Sequence, residues 1–146
     1  MAQIIDGKAI SAQIKNELKE EIVKLKDKGI NPGLAVIIVG NDPASRIYVN
    51  LKKKDCAELG ILSKEYALPE ETTQEELLKL IDQLNNDVSV NGILVQLPVP
   101  KQIDENKIIA AISPQKDVDA FHAANVGKIM IGDYHFLPCT PAGCME

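Results

Sequence analysis

Several common features are missing from this sequence. No apolar run approaches the ~20 residues that a membrane-crossing helix needs. The opening Met1-Ala2-Gln3-Ile4-Ile5-Asp6 lacks the basic stretch and apolar stretch of a secretion signal. A cytoplasmic protein with no membrane partner is therefore expected. Basic residues are not in excess: Lys+Arg number 16 against 21 Asp+Glu, a net charge of −5. Nucleic-acid binders usually carry a basic stripe, so none is expected as a partner. Cys56, Cys139 and Cys144 form no Cys-x-x-Cys pair. An odd count without a signal predicts reduced thiols and no structural zinc. His122 and His135 lack partners at metal-ligand spacing, so no metal is expected. Neither Gly-x-Gly-x-x-Gly nor a Walker-type loop occurs, and Val39-Gly40-Asn41 lacks the first two glycines of a dinucleotide turn.

The residues that are present suit one globular domain spanning 1–146. Hydrophobic residues make up 45% and charged residues 25% of the chain, which argues against disorder. Ile10, Ile14, Leu18, Ile22 and Leu25 recur at helical spacing after a capping Asp6, and Gly29 can end that helix. Leu34 to Val39 is apolar without alternation, as in a strand covered on both faces. Asp42-Pro43 starts a second helix that should run to Leu59 and stop at Gly60. Ile61–Leu68 forms a more polar strand. Thr72 or Thr73 caps a helix carrying Leu77, Leu78, Leu80, Ile81 and Leu84. Gly92–Leu97 makes a third strand, and a short helix covers 104–112. This alternation predicts an α/β, three-layer domain with a mainly parallel sheet and helices on both faces.

Three places look chemical. On the 43–59 helix, with Ser45 as zero, Val49, Cys56, Leu59 and Tyr48 fall at roughly 40°, 20°, 320° and 300°, and Lys52 at roughly 340°. One lysine of the Lys52-Lys53-Lys54 run thus faces an apolar stripe, within reach of Tyr48. Such a lysine is either a snorkelling side chain or a cleft base, since burial disfavours an ammonium. Gln96 closes an apolar strand just before Leu97-Pro98-Val99-Pro100. Ligands of open α/β sheets sit at the carboxyl ends of strands, though a strand-end glutamine also serves simply to cap backbone. Lys116-Asp117-Val118-Asp119 is either solvated surface or a carboxylate loop able to accept paired hydrogen bonds. A flavodoxin-like receiver would want an acidic cluster after the first strand and an aspartate ending a central strand. Gly40-Asn41 and Gln96 stand at those places instead.

Together these segments resemble the methylenetetrahydrofolate dehydrogenase/cyclohydrolase family. Ala44-Ser45-Arg46-Ile47-Tyr48-Val49-Asn50-Leu51-Lys52-Lys53-Lys54 with Gly60-Ile61 is similar to the family's Ala-Ser-x-x-Tyr-Val-x-x-Lys-x-Lys…Gly-Ile motif. Asn85-x-Asp87 with Ile93-Leu94-Val95-Gln96-Leu97-Pro98 resembles its second block. Lys116 to Asp119 with Phe121-His122, Asn125 and Gly127 resembles a third, and Pro138-Cys139-Thr140-Pro141-x-Gly143 a fourth. The likeness spans essentially the whole chain. It implies a folate-binding catalytic domain that works on tetrahydrofolate derivatives. Family members oxidise 5,10-methylenetetrahydrofolate with NADP, or NAD, and hydrolyse the methenyl product to 10-formyltetrahydrofolate. By the same resemblance, Lys52 is the general acid/base, Gln96 holds it, Tyr48 lies against the folate rings, and Asp119 receives the pterin donors. Ser45, Leu97 and Pro98 complete the substrate-binding set. The family continues into a Rossmann cofactor domain that this sequence lacks, so the full-length protein, a homodimer by resemblance, should hold the nucleotide elsewhere. A folate-binding fragment without catalysis is the alternative. The family usually reads Asp-Val-Asp-Gly, whereas Ala120 follows Asp119 here. Alanine tolerates positive φ poorly, so the loop carrying Asp119 is expected to sit differently.

Overall fold

The computed structural model describes residues 4–145; Met1–Gln3, on which part of the signal reading falls, and Glu146 lie outside the described residues. Its elements in order are α1 (Gly7–Asp27), β1 (Gly33–Val39), α2 (Pro43–Leu59), β2 (Leu62–Leu68), α3 (Gln74–Asn86), β3 (Gly92–Val95), α4 (Glu105–Ala111), α5 (Ala123–Ile131) and α6 (Cys139–Met145). The three strands form a parallel sheet in the order β2-β1-β3. β1 is central, pairing through Gly33↔Leu62 on one side and Leu34↔Gly92 on the other. That explains its unbroken apolar run: six of its seven residues are buried. At Gly33 an added Cβ would run into the Ser89 carbonyl, so only glycine fits where the loop before β3 crosses β1.

Local chemistry sets the element ends. The Asp6 carboxylate accepts from Lys8 and Ala9 N–H at 3.0 and 3.1 Å, opening α1. Asp42 does the same for α2 through Ser45 N–H at 2.7 Å, with Pro43 in the first turn. Gly60, at φ +78°, closes α2 in the left-handed conformation. Of the two candidate threonines, Thr73 is the cap of α3, and Glu76 completes a capping box with it.

Strand alternation divides the core. Ala35, Ile37 and Val39 of β1 and Ile93 and Val95 of β3 face α3 and α4. There they meet Leu77, Ile81, Leu84, Ile103, Ile108 and Ile112. Val36 and Ile38 of β1 and Leu94 of β3 point the other way, to Val49 of α2. Helices therefore cover both faces, giving the three layers.

The expected first helix forms with its apolar stripe only partly covered, and one strand end needs correction. The α1 stripe does not form a buried face: only Ile22 is buried, while Ile14 and Leu18 stay 43% and 39% exposed. The reason is that α1 meets α2 largely through charge. Lys15 pairs with Asp55 and Glu58, and Lys19 with Glu58. These lysines lie beside the apolar stripe, so pairing them turns the stripe outward. The third strand ends at Val95 rather than Leu97. Gln96 N–H still bonds Ile37 O at 2.8 Å, but the chain then turns away through a cis Leu97–Pro98 peptide.

Candidate functional site

The alternation that sorts the core also aims Gln96. Leu94 faces α2, so Gln96, two residues on, shares that side at the carboxyl end of the sheet. Lys52 lies on α2 at the same level. Its Nζ donates to Gln96 Oε1 at 2.9 Å. Gln96 Nε2 meanwhile donates to Leu97 O at 2.9 Å. With the amide nitrogen spent on a carbonyl, the oxygen must face the lysine, which fixes the amide's orientation. The Lys52 ammonium also stands 5.9 Å from the centre of the Tyr48 ring, within cation–π range. Tyr48 is 60% exposed, so one face of this aromatic is open to a flat ligand.

Asp119 approaches from the opposite side of β3. Its segment is tied to that strand by a parallel bridge, Ile93↔Asp117, with Ile93 N–H donating to Lys116 O at 2.7 Å. Asp119 is half-buried beside a small apolar cavity lined by Ile93, Val95, Leu97, Ile108 and Phe121, among others. Burial raises the Asp119 carboxyl above the usual carboxylate value; the Lys52 charge pulls it back, and the Asp117 charge adds to the rise. Among the described residues, the Asp119 carboxylate accepts no hydrogen bond, so its oxygens remain available to a donor pair.

Ala120 keeps the loop in place at some cost. It is fully buried and adopts φ +55°, the left-handed region where glycine is at ease. Alanine thus occupies a backbone conformation that favours glycine. The glycine-type turn persists, and alanine carries the strain.

The other expected residues divide. Leu97 lines the Asp119 cavity, while Pro98 lines a separate recess of about 340 Å³ with Gly40, Asn41 and Asp42. Ser45 is only 4% exposed and serves the Asp42 cap, whose carboxyl it holds below the usual range. The geometry thus brings Lys52, Tyr48, Gln96 and Leu97 together with Asp119 and leaves Ser45 beneath them. Cys56 is buried and burial pushes its thiol up, which makes it a poor nucleophile. Among the described residues, no group of three or more His, Cys, Asp and Glu could hold a metal, and no helix is long and apolar enough to cross a membrane. Sequence reasoning gave no role to Asp117 and Asn125, both buried. Their pairing is non-local in geometry, and only their place in the third motif hinted at it.

The β1–α2 turn is not built for a dinucleotide. Such a ligand needs free N–H groups at the helix start for its pyrophosphate. Here the Asp42 carboxylate already takes Ser45 N–H and places a negative charge at that end. The turn does not fit the group.

The chain is thus an α/β domain with a cluster of polar side chains at the carboxyl end of a parallel sheet, around a lysine held by a glutamine. The family profile "Tetrahydrofolate dehydrogenase/cyclohydrolase, catalytic domain" matches residues 5–119, and the chain belongs to that family. It is 67% identical over 145 residues to the "Bifunctional protein FolD" of Ruminiclostridium cellulolyticum, covering 99% of this chain and 51% of that one. The same-named protein of Acetivibrio thermocellus is 68% identical with the same coverage. A crystal structure of the bifunctional FolD dehydrogenase/cyclohydrolase of Campylobacter jejuni superposes with TM-score 0.92 at 56% identity, covering 96% of this chain and 50% of that one. The Trypanosoma brucei enzyme, solved with NADP cofactor and inhibitor, gives TM-score 0.93 at 38% identity, covering 99% and 50%. The chain spans about half the length of the relatives it matches.

Proposed function

We propose that this chain binds a reduced folate across Tyr48 and hydrolyses its 5,10-methenyl bridge to the 10-formyl product. The observation that carries this reading is the Lys52 Nζ–Gln96 Oε1 bond at the mouth of the sheet, 2.9 Å long. A water oxygen adds to the electron-poor bridging carbon, and the carbon–N5 bond then breaks. Both protons leave the attacking water as its oxygen becomes the formyl carbonyl; one, which carried the cation's charge, goes to solvent and the other reaches the departing N5. Lys52 Nζ moves that proton, and Gln96 keeps Nζ at one place while it does so. Tyr48 stacks on the folate rings. Asp119 accepts from the pterin amino group and ring N–H as a paired acceptor. Leu97 and Pro98 flank the ring system, and Ser45 supports the helix start beneath it.

In a longer protein of this kind, the same cleft oxidises the 5,10-methylene compound with NADP or NAD held by a Rossmann domain. The pairing of such full-length chains as homodimers, a cytoplasmic setting and a place in one-carbon supply for purine synthesis belong to the same reading. For that step the nucleotide would be held outside the β1–α2 turn, which does not fit it, and the residues present would bind and orient the folate.

The test is methenyltetrahydrofolate hydrolysis by this chain without nucleotide, beside Lys52→Met. A rate above buffer that the variant loses supports the reading. Equal rates for both proteins contradict it. Folate binding with no rate at all favours the non-catalytic alternative, for which the 60% exposure of Tyr48 is the relevant observation: water is not excluded there.

A further inference from the structure

Asp117 is a charged residue only 3% exposed, two positions from Asp119, and the chemistry above leaves it without a task. Its Oδ2 accepts from His122 N–H at 2.8 Å and from Asn125 Nδ2 at 2.9 Å. The same Asn125 Nδ2 donates to Pro114 O at 2.9 Å. Asn125 is itself 7% exposed and sits in the first turn of α5. One carboxylate oxygen thus closes residues 117–122 into a loop, and Asn125 ties that loop back to the chain entering it.

The remaining anchors point the same way. Lys116 Nζ donates to Leu84 O and Asp87 O, both at 2.9 Å, at the carboxyl end of α3. Ile93 N–H donates to Lys116 O, three residues before Gln96 on the same strand. Inside the closed loop lie Asp119 and Ala120, the latter at φ +55° and fully buried. A non-glycine residue stays in that conformation only when its surroundings over-determine it. The Asp117 bonds are those surroundings.

We infer that Asp117 and Asn125 are positioning residues for substrate. Their bond holds the left-handed turn at Ala120 and so aims the Asp119 carboxylate at the ring it receives. This rests on the folate reading above. Neither residue touches the ligand; both act through Asp119. A paired acceptor loses its value when its plane turns, so loosening the loop removes the contact as fully as deleting the carboxylate.

The experiment is a double-mutant cycle on this chain, with affinity for 5-formyltetrahydrofolate read by calorimetry and folding checked by thermal melting. Asp119→Ala and Asn125→Ala should each weaken binding by about tenfold or more, the loss expected of a hydrogen bond to a charged group. The double variant should bind no more weakly than Asp119→Ala alone. A merely structural Asn125 would lower melting and give additive losses, which overturns the inference. Unchanged affinity in Asn125→Ala with a loss in Asp119→Ala also overturns it, while leaving the folate reading intact. No binding by the wild-type chain, or no loss in Asp119→Ala, overturns both. Should Asn125→Ala fail to fold, Asn125→Ser, which shortens the donor out of reach of Asp117, reads the same bond: it should weaken binding by about tenfold and add nothing to Asp119→Ala. Unchanged affinity there would contradict the role.

Discussion

The two faces of the sheet are built differently. Toward α3 and α4 the sheet meets a cluster of twelve buried residues, with Leu77, Ile81 and Ile108 completely enclosed. Toward α2 the buried cluster is four residues, Val36, Ile38, Val49 and Leu94. Beyond it lie a lysine, a glutamine and an open tyrosine. Further out, α1 is held on by ion pairs and leaves its apolar stripe half in solvent. The well-packed face supplies the rigidity, and the thin face presents the polar groups. Gln96 shows how closely the two are joined. Its neighbour Val95 is sealed in the large cluster, so its backbone is fixed while its side chain reaches the site.

If this division holds, stability and chemistry should separate by face. The largest effect is expected at Lys52: Lys52→Met should reduce methenyltetrahydrofolate hydrolysis by about 10²-fold or more, the usual contribution of a positioned acid/base group. Its melting temperature should scarcely move. A matched fall in melting would break the comparison. On the other face, Ile81→Ala removes a fully buried side chain and should cost about 2–5 kcal/mol in urea unfolding. Leu18→Ala, on the half-exposed α1 stripe, should cost under about 1 kcal/mol. Similar losses at the two sites would show that α1 is packed as tightly as α3.

Asp119 sharpens the comparison through pH. Its folded-state carboxyl is raised, chiefly by burial. Between the ordinary carboxylate value and the raised one, the folded chain holds a proton that the unfolded chain has released. Asp119's contribution to stability is therefore greatest below the ordinary value and falls as pH rises through the raised one. Ligand binding should run the other way, because the ionised form is the acceptor. Folate affinity should rise across the same window, and Asp119→Asn should flatten both curves. A wild-type affinity constant across that window would contradict the acceptor role. The smallest effect is expected at the strained turn. Ala120→Gly relieves the left-handed alanine but adds chain freedom and removes a buried methyl, so a net gain of about 0.5–1 kcal/mol in urea unfolding is expected. A loss would mean that the methyl packs better than the turn strains.

Much of this was legible in the sequence because it is local. The second helix could be read from cap to cap, since Asp42-Pro43 and Gly60 are start and stop signals within its own segment. The buried central strand announced itself by its unbroken apolar run. The Lys52 direction followed from helical spacing, whereas its bond to Gln96, far off in sequence, was implied only by the family resemblance. What could not be read depends on distant partners. The periodicity of α1 shows an apolar stripe but not that Asp55 and Glu58 on another helix would turn it outward. α5 escaped notice because its start relies on His122 Nδ1 accepting from Ala124 N–H, an unusual cap with no strong pattern. The conformation of Ala120 is set by Asp117 and Asn125, and alanine alone argues against it.

On this reading, the residues of this chain alone make a folate site at the carboxyl end of the sheet. Calorimetric titration of the wild-type chain and Tyr48→Ala with 5-formyltetrahydrofolate, nucleotide absent, tests it most directly. Saturable one-to-one binding is expected, weakened by about tenfold in Tyr48→Ala, the range of one aromatic stacking contact. No saturable binding by the wild-type chain, or binding indifferent to Tyr48, would contradict it.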